Sequence, residues 1–126
     1  MPMGKKTWLV ADCYWPEVAP EQRQQAYQSH EAICALNTGD ADAHLTITLY
    51  FEDREPFCGF TAVCPARRTH HVRMDRIRAA SGQTVPPSTP YAVVVKSDVP
   101  VVIQYSRLDA TQPNLTLMTT LGYGVE

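Results

Sequence analysis

The segment "AHLTITLYFED" (43–53) constrains the chain most. Leu45, Ile47, Leu49 and Phe51 alternate with Thr46, Thr48, Tyr50 and Glu52. Successive side chains of a strand point to opposite faces, so period two over this length specifies a strand with one face on a core. An amphipathic helix would need period 3.6, and no stretch of the chain provides a convincing one.

The same reading extends outward. Strands are expected over 7–12, 29–37, 43–53, 57–66, 68–74, 91–98, 99–109 and 114–124. "TGDAD" (38–42) has Gly39 for positive φ and two aspartates able to bond nearby backbone, so it reads as the turn of an antiparallel hairpin. Pro16 and Pro20 make 16–28 a loop, and "SGQTVPPSTP" (81–90) is another. "YAVVVKSD" is nearly all apolar, as a central strand should be. Eight strands in 126 residues, 44% of them hydrophobic, specify an all-β fold, an antiparallel β-sandwich formed by a single domain over 1–126.

Composition excludes some roles. No apolar run approaches the ~20 residues of a membrane helix, and no signal peptide is read at the N-terminus, so a cytoplasmic location is expected. Cys13, Cys34, Cys58 and Cys64 form no Cys-x-x-Cys pair, which argues against structural zinc and for reduced thiols. No glycine-rich phosphate loop or paired-carboxylate signature occurs. Neither a metal nor another cofactor is expected.

"PARRTHHVRMDRIR" (65–78) is the most unusual stretch. Residues 67–78 hold five arginines against one aspartate, a net of +4 in a chain of net charge −2. In a strand, Arg67, Thr69, His71 and Arg73 would share one face, with Val72 and Met74 turned to the core. Such a row suits carboxylate or phosphate, or is simply a solvated face. His70 and His71 point apart, so they cannot hold one metal ion together. Ser29 and His30 likewise face apart, which argues against a nucleophilic pair. Gln104, inside an apolar run, reads as a buried amide that needs partners or lines a cavity. Arg107 and Asp109, two apart, share a face.

"SHEAICALNTGDADAHLTITLYFEDREP", "CPARRTHHVRM" and "SDVPVVIQYSRLD" together resemble the sensory rhodopsin transducer family, and the resemblance runs from Trp8 to about Tyr123. It implies a β-sandwich protomer in a cyclic homotetramer, cytoplasmic and not an enzyme, recognising a small polar ligand that is sugar-like or anionic. The implied alternatives are contact with the cytoplasmic face of a membrane sensory rhodopsin, or DNA binding. The positions carried over as ligand-binding are Trp8, His30, Glu31, Asn37, Arg67, His71, Gln104, Arg107 and Asp109. Geometry adds the expectation that Arg67 and His71 share one pocket with Arg107.

Overall fold

The computed structural model describes residues 3–17, 28–111 and 114–126. Eight antiparallel strands are present and no helix occurs among the described residues. They are β1 (Lys5–Cys13), β2 (His30–Asn37), β3 (Ala43–Phe51), β4 (Phe57–Cys64), β5 (Arg68–Arg73), β6 (Tyr91–Asp109), β7 (Thr116–Leu121) and β8 (Tyr123–Val125). The loop expected at 16–28 falls largely on 18–27, outside the described residues.

The 19-residue β6 organises the sheet. Its first half, Tyr91–Ser97, pairs with β3, and β1 lies on its other side. Its second half pairs with β2 through Val102–Leu108 and with β7 through Gln104–Asp109. The change of partners coincides with a break in the β1 ladder, where Lys5 faces Val101 but Thr7 faces Lys96. Pro100 sits in this stretch, where its missing N–H breaks no regular ladder bond. The strands expected separately at 91–98 and 99–109 are therefore one continuous strand.

The hairpin expected between 29–37 and 43–53 does not form. β2 pairs with β5 and β6, while β3 pairs with β4 and β6. The turn at 38–42 is instead a corner that carries the chain from one ladder to the other. Asn37 makes the corner. Its buried side-chain amide donates to the carbonyls of Ala41 (2.8 Å), Cys64 (3.0 Å) and Pro65 (3.3 Å), and its Oδ1 accepts from Gly39 N (3.0 Å). These bonds stitch the β2–β3 corner to the β4–β5 corner, which returns the chain.

The last expected strand divides at Gly122, whose N–H donates to Ile103 O (2.9 Å). A Cβ at Gly122 would lie 3.3 Å from the Trp8 ring, and one at Gly124 would lie 3.1 Å from it. The two glycines leave room for the indole, whose Nε1 donates to Val101 O (2.9 Å). β7 can thus stay with β6 while β8 crosses to β1.

The core draws on both ladders. Leu45, Ile47, Leu49, Val93 and Val95 of one are buried with Ile33, Val72, Ile103 and Tyr105 of the other. Each such side chain contributes about 1.5–3 kcal/mol relative to exposure. The alternation expected for 43–53 holds, except that Phe51 is only half-buried. Val72 and Met74 are buried as expected.

Candidate functional site

Four stretches of chain converge at one end of the sheet: the end of β1, the start of β2, and both ends of β6. At their meeting point lies Glu31, a fully buried carboxylate. Glu31, Ile33, Ala35 and Asn37 share the inward face of β2, and all four are buried. The phenol of Tyr91 donates to Oε1 and that of Tyr105 to Oε2. The backbone N–H of Tyr14 reaches Oε2 at 3.1 Å and the Tyr105 oxygen at 3.2 Å.

Arg107 extends this network to the surface. Its Nε donates to the Tyr105 oxygen (3.1 Å), and its guanidinium carbon lies 5.5 Å from the centre of that ring. Its Nη2 donates to Asp12 O (3.2 Å) and stands 3.6 Å from Asp12 Oδ1. A chain of contacts thus runs from an exposed acid through a guanidinium and a phenol to a buried carboxylate. A cleft of about 570 Å³ adjoins it, lined by Leu9–Asp12 of β1 and by Met118, Thr120, Leu121 and Tyr123. Asp12 also borders a second cleft, of about 410 Å³, with Tyr91 and Glu52.

Electrostatics follow from burial. Desolvation holds the Glu31 carboxyl above its ordinary range, against the three hydrogen bonds and the Arg107 charge that favour the ionised form. Burial raises Tyr91 well above its ordinary value, and the neighbouring carboxylate adds to this. Tyr105 is raised for the same reasons. Both phenols are therefore donors at neutral pH. The Cys13 thiol is pushed up mainly by burial, so it is a neutral neighbour.

The nine residues singled out in the sequence do not form one site. Glu31 and Arg107 meet through Tyr105. Trp8 and Asn37 are buried with their polar atoms bonded to backbone. His30 is half-buried, its Nδ1 at 2.9 Å from Gln28 O. Asp109 closes a turn by accepting from Thr111 N (2.9 Å) and Thr111 Oγ1 (2.6 Å). Those bonds hold its carboxyl below the ordinary aspartate range. It forms no hydrogen bond or ion pair with Arg107, whose charge adds to the lowering from longer range.

Three expectations are corrected here. Gln104 is exposed rather than buried, and it donates to Thr119 Oγ1 at 2.6 Å. Its run is apolar because Val101, Ile103 and Tyr105 face inward, and strand parity turns Gln104 out. Arg67 is not in β5: it has φ 55° in the corner, its N–H donates to Gly39 O, and its guanidinium pairs loosely with Asp40 at 3.8 Å. Arg67, His71 and Arg107 share no pocket. Cys34 faces both His71 and Gln104 across the ladders, whereas Glu31 faces Arg107, and Cys34 and Glu31 lie on opposite faces of β2. Arg67 adjoins the Asn37 end of β2, roughly 20 Å along the strand from Glu31.

The rest of the basic stretch is also divided. Arg73 makes a two-pronged pair with Asp75, both bonds 2.8 Å. Arg68 is exposed at the start of β5, and Arg76 and Arg78 are exposed in the segment that follows it. No group of three or more potential metal ligands occurs among the described residues. No helix among them is long and apolar enough to cross a membrane.

Tyr91, Tyr105, Tyr14 and Asp12 were not anticipated in this cluster. Strand parity held the signal: Glu31 lies in register with Ile33 and Ala35, so it had to be buried and had to find donors. Tyr91 lies in register with Val93 and Val95.

The sequence model of a family described as Anabaena sensory rhodopsin transducer matches residues 3–124. The chain belongs to that family. A solved structure titled Anabaena sensory rhodopsin transducer is 39% identical, covers 86% of this chain and 91% of its own, and superposes with a TM-score of 0.75. The crystal structure of Thermotoga maritima 1070 is 36% identical, covers 98% and 97%, and gives a TM-score of 0.83. No curated protein sequence matches the chain.

Proposed function

We propose that this protein is a cytoplasmic signalling module that acts by binding and not by catalysis, in the manner of a sensory rhodopsin transducer. In this reading the protomer is a β-sandwich, a cyclic homotetramer is the working form, and its input is the cytoplasmic face of a membrane sensory rhodopsin. The observation that carries it is the near end-to-end match to a family and to a solved protein both named for that role. The surface supports a binding role. All six residues of β7 are exposed, with Leu117 74% and Leu121 64% accessible and Tyr123 of β8 71%. Large apolar side chains left exposed on a strand that pairs on one side only suit a protein contact.

A second reading rests on Arg107. A guanidinium held by Tyr105 and by Asp12, which itself borders two clefts, suits a small anionic or sugar-like ligand that displaces the aspartate. Three measurements test the pair. Calorimetric titration against a purified sensory rhodopsin in lipid nanodiscs should give saturable binding, and light scattering should give a tetramer. Absence of receptor binding at about 100 μM, an affinity near the weak end for specific contacts, would overturn the first reading. A metabolite-induced rise in melting temperature, lost in Arg107→Ala, would then favour the second.

A further inference from the structure

Glu31 is the one buried acid among the described residues, neither reading of the surface uses it, and its surroundings admit two hydrogen-bond patterns. With the carboxylate ionised, Tyr91 donates to Oε1 while Tyr105 and the Tyr14 N–H donate to Oε2. With the carboxyl protonated, one oxygen becomes a donor and needs an acceptor. The Tyr105 oxygen is already taken, because Arg107 Nε and the Tyr14 N–H both point at it. Tyr91 Oη has no recorded partner but Glu31 among the described residues.

We propose that Glu31 and Tyr91 form a proton-operated switch: on protonation the hydrogen sits on Oε1, and the Glu31–Tyr91 bond reverses direction. The carboxyl O–H then donates to Tyr91 Oη. The phenol hydrogen rotates out of the carboxyl contact, and Tyr91 as a residue borders the cleft of about 410 Å³ beside Asp12 and Glu52. On deprotonation the proton leaves to bulk water and the phenol turns back to the carboxylate.

The surroundings fit a single titrating group. From β1 the neighbours are the neutral Cys13 thiol and exposed Asp12. From β6 they are Tyr91, Tyr105 and Arg107, the phenols held protonated. Across from Tyr105 and Arg107, β7 places uncharged Thr120 and Met118. Beyond β5, Met74 N–H donates to the Glu31 backbone carbonyl at 2.9 Å, and Arg73 is engaged with Asp75. Burial keeps the transition above the ordinary glutamate range. The switch joins β2 to the start of β6, and through Tyr105 and Arg107 it is tied to the surface at Asp12.

The test is a pH titration of the purified protein alone, between about pH 4 and pH 9, with the Glu31 carboxyl carbon and the tyrosine ring carbons observed by NMR. The Glu31 midpoint should lie above the ordinary glutamate value, and the Tyr91 ring signal should move with the same midpoint by at least twice the Tyr105 shift. In Glu31→Gln the Tyr91 titration should vanish. A carboxyl that stays in one state over the whole range overturns the switch. So does a titration followed by Tyr105 and not Tyr91, or a Tyr91 titration that persists in Glu31→Gln. No receptor or ligand is added, so failure here leaves the transducer reading untouched.

Discussion

Tyr91 and Tyr105 stand 14 residues apart on one strand and donate to the two oxygens of one carboxylate. Fully extended, that separation would span about 47 Å. β6 must therefore turn back between them, and the hydroxyls report the turn. The relationship makes Glu31 a clasp for the strand common to both ladders.

Glu31 should make stability fall with rising pH. Its folded carboxyl holds a proton to higher pH than the unfolded chain does. The contribution is complete below the ordinary glutamate value near 4.5 and is lost as pH rises through the raised folded value. Each unit of elevation is worth about 1.4 kcal/mol. Urea melts of wild type and Glu31→Gln across this window should differ by that slope, and parallel profiles would contradict it.

Asn37→Ala should be among the most damaging single polar substitutions. It strands three carbonyl contacts and the Gly39 N–H at two corners. The expected loss is roughly 2–4 kcal/mol, read as a lower denaturation midpoint with an unchanged m-value.

Gln104→Leu should be nearly neutral for folding, within about 0.5 kcal/mol, because the side chain is exposed and loses only Thr119. A loss near 2 kcal/mol in the same melts would mean the amide is buried after all.

Gly124→Val should free the last strand. Its Cβ would meet Lys5 Cδ at 2.9 Å and Trp8 at 3.1 Å, with two further methyls beyond. Overpacking of this kind costs typically about 1–3 kcal/mol. A red-shifted tryptophan emission should accompany the lower stability, and an unchanged spectrum would show that β8 has yielded without moving the indole.

Parity along single strands was legible in the sequence, and connections between strands were not. Leu45, Ile47, Leu49, Val72 and Met74 went to the core as alternation required. Pairing partners were misread at 38–42 because hairpin and corner share the same turn chemistry. What decides between them is Asn37 reaching Cys64, 27 residues away, a contact no local window contains. The apolar run around Gln104 suggests burial, whereas its alternate position on β6 turns it outward with Val102 and away from Ile103 and Tyr105. Glu31 stands out through its motif, but its partners Tyr91 and Tyr105 come from opposite ends of β6, which the sequence pattern divides into two strands.

That shared strand has a mechanical meaning. Because β6 supplies hydrogen bonds to β1 and β3 with one half and to β2 and β7 with the other, neither ladder can open without fraying the backbone of its neighbour. Amide hydrogens on both sides should exchange with solvent through one common opening event. A displacement imposed at Tyr91 is then borne by the same strand that carries Arg107, so strain entering one ladder is felt in the other.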